Sequence, residues 1–102
     1  MPRVKEIGTV IAQRELVFVA DDGSRTSTVL RVGMPYEHGE GFDWCCPYEI
    51  ESGLIKKTFG LFGIDSLQAL QLTINTLPAE LEYWERKNQG KFFFLDEEGS
   101  GV

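Results

Sequence analysis

The alternation of apolar and polar residues predicts β-strands along most of the first two-thirds of the chain. The first two runs are joined by Asp21-Asp22-Gly23-Ser24, a strong turn signal, and predict an antiparallel hairpin. The third run places Trp44, Cys46, Tyr48 and Ile50 on one face, which we expect to be buried. The pattern predicts an antiparallel meander of about four strands, at residues 7–20, 25–34, 43–51 and 54–62.

Two interruptions of this pattern limit the predicted sheet. Pro47 cannot donate a backbone hydrogen bond, so its strand is an edge strand, is bulged at that point, or turns the missing donor outward. Residues 33–42 contain three glycines, a proline and two glutamates. They predict the longest loop of the chain.

After the strands, the hydrophobic period changes to that of a helix of about 20 residues. Asp65 is placed to cap its N-terminus, with Gln68 reaching back to the Asp65 amide in a capping box. Pro78 removes one backbone hydrogen bond without shifting the apolar phase, so we predict one kinked helix rather than two. The apolar positions form a stripe that should cover the sheet: Leu67, Leu70, Ile74, Leu77, Leu81 and Trp84.

Residues 88–90 should end the helix, and residues 91–95 predict a short fifth strand. The sequence therefore predicts an α+β fold in a single domain, residues 1–95, in which one long helix packs on the sheet. Residues 96–102 are acidic and glycine-containing, and we expect them to be a disordered tail.

Size and charge narrow the possible partners of this domain. A chain of 102 residues builds one core, and its formal net charge of −6 disfavours nucleic acid and anionic membranes and favours a basic partner surface. No apolar run approaches the roughly 20 residues of a membrane span, and the first eight residues lack a signal-peptide stretch. We expect a cytoplasmic protein.

The reactive side chains do not form a recognisable catalytic set. Cys45 and Cys46 are adjacent, which disfavours a disulfide between them, and His38 is the only imidazole that could activate either thiol. A cluster of these groups with Asp43 matches no known spacing. We therefore interpret Cys46 as a small buried residue, Cys45 as half exposed and His38 as a solvated loop residue.

Metal and cofactor sites are also disfavoured. The chain has three Cys and His residues in total, too few for a structural zinc site. The carboxylates of Glu37, Glu40 and Asp43 lack the alternating spacing of a calcium loop, so a solvated acidic loop is the better interpretation. No catalytic residue, cofactor or metal ligand is assigned.

The sequence offers more apolar residues than the predicted core needs. Leu72, Ala79 and Tyr83 form a second, weaker line on the helix, roughly opposite the stripe. In the last strand, Phe93 and Leu95 face away from Phe92 and Phe94, so both faces are apolar. Either the sheet curls to bury part of its second face or another chain covers it.

Two sequence motifs carry a family resemblance. The first, Trp-x-Cys-Pro-aromatic-x-Ile, spans residues 44–50, and the second, Gly-x-Asp-Ser-x-Gln-Ala-Leu, spans residues 63–70. In these motifs the chain resembles a family of small bacterial proteins classed as a domain of unknown function. The resemblance covers roughly residues 10–84 and implies a shared fold without an activity. It includes Cys46 and leaves Cys45 at a variable position.

Two functions from different classes remain open. The first is a protein-interaction module, of an adaptor or immunity-like kind and possibly a homodimer, whose contact residues are Leu72, Ala79, Tyr83, Phe93 and Leu95. The alternative is a small ligand-binding protein or enzyme with a pocket at His38, Asp43, Trp44, Cys46 and Tyr48.

Overall fold

A computed structural model describes residues 6–39 and 43–102. It contains one helix and seven strands, two of which are only two residues long. The strands are β1 (Val10–Ala20), β2 (Arg25–Gly33), β3 (Tyr36–Glu37), β4 (Trp44–Ser52), β5 (Ile55–Gly63), β6 (Gly90–Phe94) and β7 (Glu97–Glu98), and the helix α1 (Ser66–Asn88) lies between β5 and β6.

The strands form one antiparallel sheet in the order β5-β4-β2-β1-β6-β7, and β3 extends the β2 side of β4. The predicted α+β fold with one helix on an antiparallel sheet is confirmed, as is the meander of four long strands. The predicted strand number is wrong, because β3 forms within the expected loop and β7 within the expected tail. Strands of two residues are too short to show a hydrophobic alternation.

Pro47 lies in an interior strand, because β4 pairs with β5 on one side and with β2 and β3 on the other. The ladder with β2 ends at Tyr48, and the ladder with β3 includes Cys45 and Trp44. Pro47 therefore lies at a break between two partner strands, where a missing donor is tolerated. Of the three alternatives, an edge strand is excluded.

The start of α1 is set by side chains, as the sequence predicts. The Asp65 carboxylate accepts a hydrogen bond from the Gln68 amide at 2.7 Å. The Gln68 side chain accepts from the amide of Ile64 rather than Asp65, at 2.7 Å. The helix runs without a break through Pro78 and ends at Gln89, which adopts the left-handed conformation. No segment of a described helix is long and apolar enough to cross a membrane.

The buried face of α1 is rotated about the helix axis relative to the predicted apolar stripe. Leu77, Leu81 and Trp84 are buried as expected, but Leu67 is 61% exposed and Ile74 is 43% exposed. Ala69 and Thr73 are buried in their place: the backbone at Ala69 passes close to Gly63, and the Thr73 hydroxyl bonds to the carbonyl of Cys46. The core under the helix contains Leu16, Phe18, Leu30, Val32, Cys46, Tyr48, Ile50, Ala69, Leu77, Leu81, Trp84 and Phe92.

The sheet face away from the helix is covered at one end. Ile7 and Pro47 both lie close to Gly33, and the amide of Met34 donates to the carbonyl of Thr9 at 2.8 Å. Beside them, β3 places Tyr36 opposite Cys45. Cys45 is consequently fully buried, which corrects the expectation that it is half exposed.

Where a disordered tail was expected, the structure folds the chain back on itself. Leu95 and Asp96 have positive φ and reverse the direction, so that Glu97 pairs with Phe94. The Gly99 amide then donates to the carbonyl of Phe92 at 2.8 Å. Residues 99–102 continue across the groove between α1 and β1.

Candidate functional site

The residues predicted to line a pocket lie on two faces of the sheet. Cys46 and Tyr48 are fully buried beneath α1, and Trp44 lies partly buried on the same face. His38 is exposed on the loop before β4, where its amide donates to the Asp43 carbonyl at 3.0 Å. The structure brings His38 and Asp43 together but separates them from Cys46 and Tyr48.

Neither cysteine is presented for chemistry. Burial raises the pKa of the Cys46 thiol, which lies 3.5 Å from the carbonyl oxygen of Gly33. The Cys45 thiol lies beside the Tyr36 hydroxyl and, together with burial, raises the pKa of that tyrosine to about 12. The His38 ring packs edge-on against Phe62, with 4.9 Å between centroids. A buried thiol that stays protonated is a poor nucleophile.

A polar network on the face away from α1 was not predicted. Arg31 donates from Nη1 to Oε1 of Glu49 and to Oε1 of Glu51, both at 2.9 Å, and Thr58 donates to Oε2 of Glu49 at 2.7 Å. The Glu49 side chain is 6% exposed and that of Glu51 is 41% exposed. Each residue falls on the polar side of its predicted strand, but alternation alone does not give the register that pairs them. The network anchors β4 between β2 and β5.

The Tyr48 hydroxyl is an unsatisfied polar group in the core. It is buried and has no hydrogen-bond partner among the described residues. Burial raises its pKa, and the nearby Glu80 carboxylate raises it further. No cluster of Cys, His, Asp and Glu within residues 6–39 and 43–102 could hold a metal ion.

The residues predicted for an interaction surface separate into two groups. Leu72 and Tyr83 are 41% and 54% exposed on the flank of α1 nearest β5, and Ala79 is exposed between them. Phe93 is partly buried opposite Val17 on the other face of the sheet, and Leu95 is exposed in the turn after β6. Because β5 and β6 lie on opposite sides of the central strands, the two groups do not form one surface.

Beside the line of Leu72, Ala79 and Tyr83 on the helix, strand β5 has an outer edge that the sequence did not predict. It has nine residues, all in register with β4, and no described strand pairs with its outer edge. We call this edge, together with Leu72, Ala79 and Tyr83, the β5 surface. Ile55 is exposed at one end of it.

A second concave region lies on the opposite flank of α1. A cavity of about 340 Å³ opens between the helix and the first half of β1, and residues 101 and 102 close one side of it. Beyond residues 99–102, a cavity of about 290 Å³ continues beside Pro78 and Leu81. We call the larger cavity the α1–β1 trough, which is lined by Ala12, Gln13, Arg14, Leu30, Val32, Ile74, Leu77, Gly101 and Val102.

Comparison with known families identifies the relatives of this fold. The family described as a domain of unknown function, DUF6968, matches residues 12–102. The chain belongs to the DUF6968 family. No curated protein and no solved structure matches it. The predicted resemblance to a family of unknown function is therefore confirmed.

In this DUF6968 chain, the residues of the two motifs hold the fold together. Ala69 is fully buried against the backbone at Gly63, and Asp65 and Gln68 cap the helix between them. The carbonyl of Cys46 accepts a hydrogen bond from the Thr73 hydroxyl at 3.1 Å, which ties β4 to α1. The motifs mark where the helix docks on the sheet, and the exposed features lie elsewhere.

Proposed function

We propose that this DUF6968 protein is a protein-interaction module and that the β5 surface is its contact site. The observation that carries the proposal is the nine-residue outer edge of β5 beside an exposed apolar line on α1. The pocket considered as the alternative receives no support from the placement of Cys46 and Tyr48, both of which are fully buried.

An unpaired edge strand presents backbone donors and acceptors to which another extended chain can add. β5 contains no proline and pairs with β4 without a register shift, so neither a proline nor a bulge blocks this edge. Lys56 and Lys57 are confined to one end of the strand. The opposite end, residues 59–63, is uncharged.

The helix line gives such an added strand side-chain contacts as well. Leu72, Ala79 and Tyr83 are spaced by seven and four residues and therefore lie along one flank of α1. Isolated exposed apolar residues are ordinary, but here they border an open strand edge. A partner that pairs with β5 would bury these side chains at the same time.

A second copy of the chain is the specific partner that we propose. Two β5 strands that pair antiparallel about Phe59 place Lys56 opposite Phe62 and Lys57 opposite Leu61, so no like charges face each other. The two-fold axis also brings the two helix lines together, as a closed symmetric dimer requires. The acidic net charge of −6 opposes association, and this contribution weakens as salt is added.

Light scattering on the purified chain tests this proposal, with Leu72→Glu as the disrupting variant. Ile74→Glu is a matched control, because Ile74 is exposed to nearly the same extent, 43% against 41%, but lies on the opposite flank. We expect a wild-type dimer, a monomer for Leu72→Glu and Tyr83→Glu, and a dimer for Ile74→Glu. Hydrogen exchange should show protection of β5 amides that rises with protein concentration.

A monomeric wild-type chain at high concentration would show that self-association is wrong. A pull-down from a source extract would then test whether the β5 surface binds a different protein. Recovery of the same partners by wild type and by Leu72→Glu would show that the β5 surface is not the contact site.

A further inference from the structure

We propose that the α1–β1 trough is a binding site for an amphipathic carboxylate, a molecule with an aliphatic or aromatic body and one carboxylate group. The trough lies on the opposite flank of α1 from the β5 surface, so this site is independent of the proposed protein contact. Its volume of about 340 Å³ is within the range of small-molecule pockets.

The floor and wall of the trough are apolar. Leu30 and Val32 of β2 form the floor, and Leu77 and Ile74 of α1 form the wall. Ile74 belongs to the apolar stripe of the helix and yet remains 43% exposed, since no element of the sheet covers it. Leu30, Val32 and Leu77 are at most 4% exposed, so the apolar area that an aliphatic chain would remove from water is mainly that of Ile74.

Arg14 gives the trough its preference for an anion. Among the described residues it is the only charged side chain in the lining, and its position opposite Leu30 places it on the helix side of the sheet. The guanidinium stacks on Phe94, 4.1 Å from the ring centroid, and donates from Nη1 to the carbonyl of Ser100 at 3.1 Å. No described carboxylate forms an ion pair with it, although the chain carries a net charge of −6.

These contacts orient Arg14 and leave donors available. A guanidinium has five N–H donors in a planar fork that fits a carboxylate, and the structure assigns one of the two Nη groups to Ser100. Stacking on Phe94 restricts the side chain before the ligand arrives, which lowers the entropy lost on binding. The carboxylate would lie at Arg14 and the apolar body along Leu30, Val32 and Ile74.

Octanoate and 1-octanol, titrated into the full chain below their aggregation limits, are suitable probes with amide chemical shifts as the readout. We expect the shifts to concentrate at Ala12, Val32, Ile74 and Leu77, with octanoate bound about tenfold more tightly than octanol because of one charge-assisted contact. Arg14→Met should abolish this difference, mainly by weakening octanoate binding. Arg25→Met, which removes an exposed arginine from the β1–β2 hairpin, should preserve it.

A second variant keeps the test decisive if Arg14→Met does not fold. Ile74→Trp should fill the trough and prevent binding of both probes, while the spectrum elsewhere stays unchanged. Three results would overturn the proposal: shifts dispersed over other surfaces, equal affinity for octanoate and octanol in the wild type, or unaltered octanoate binding by Ile74→Trp.

Discussion

Gly63 and Ala69 lie so close together that a side chain on Gly63 would place its Cβ atom 2.5 Å from the Ala69 amide nitrogen. The contact joins the last residue of β5 to the first turn of α1, and it involves backbone atoms of Ala69. Backbone cannot move aside as a flexible side chain can. The close approach therefore fixes how the helix leaves the sheet, and it accounts for the glycine at position 63 of the second motif.

Gly63→Ala should destabilise the protein. We expect a loss of about 1–3 kcal/mol in the free energy of unfolding, the range for overpacking at a tight contact, measured by urea denaturation. Ser66→Ala, at an exposed position of the same turn, is the control and should change stability little. Adding Ala69→Gly should not restore the Gly63→Ala variant, because the clash is with backbone. Recovery in the double variant would show that the side chain of Ala69 was the obstacle.

The two carboxylates bonded to Arg31 lie at the same distance from it but differ in burial, and Glu49 also accepts a bond from Thr58. Both lie 2.9 Å from Nη1, but the Glu49 side chain is 6% exposed and that of Glu51 is 41% exposed. Glu49→Gln should lower the free energy of unfolding by about 1–3 kcal/mol, because it weakens charge-assisted bonds in a buried network. Glu51→Gln should cost at most about 1 kcal/mol, as expected of a solvated pair. Equal losses in chemical denaturation would contradict the role assigned to burial.

Tyr48 should make the stability of the protein depend on pH in the alkaline range. Burial and the Glu80 carboxylate raise the pKa of Tyr48 above the ordinary value of 10.0, so the folded state keeps a proton that the unfolded chain releases. The contribution of Tyr48 to the free energy of unfolding is therefore fully present below pH 10. It is lost as the pH rises toward the pKa of the folded state. Tyr36, with its pKa raised to about 12, contributes in the same direction.

Tyr48→Phe tests both the alkaline loss and the unsatisfied hydroxyl. At neutral pH the variant should be as stable as wild type or more stable by up to about 1 kcal/mol, because it removes a buried hydroxyl without a partner. Above pH 10 its stability should fall less steeply than that of wild type in matched urea titrations. Tyr83→Phe alters an exposed tyrosine and should follow wild type throughout. A marked loss at neutral pH would mean that the hydroxyl has a stabilising partner.

The elements that local residues specify could be predicted from the sequence. Asp65 caps the helix by bonding to an amide three residues away, and the turn at residues 21–24 closes a hairpin between adjacent strands. The rotation of α1 could not be predicted in the same way. It buries Ala69 and Thr73 and leaves Leu67 and Ile74 exposed, whereas periodicity ranks residues only by hydrophobicity.

The placement of the candidate residues could be predicted in part. Leu72, Ala79 and Tyr83 are exposed on one flank as the helical spacing indicates, whereas the open edge of β5 depends on strand order. Arg14 and Leu77 lie far apart in the sequence and meet at the trough only because α1 crosses back over the sheet. Cys46 and His38 do not meet, because Cys46 faces the core under α1 whereas His38 packs on Phe62, which pairs with Cys45 of the opposite face.

Pro78 lies inside α1 without interrupting the helix, so its cost to stability can be measured by substitution. A proline inside a helix lacks the donor to the preceding turn and costs about 3 kcal/mol relative to alanine, while it recovers up to about 1 kcal/mol by restricting the unfolded chain. Pro78→Ala should therefore stabilise the protein by about 2 kcal/mol in thermal or urea unfolding. Ala79→Pro, at the next exposed position, is the matched opposite change and should destabilise it by more than this. Unchanged stability of Pro78→Ala would mean that the proline makes compensating contacts with Leu81 and residues 99–102 around the adjoining cavity.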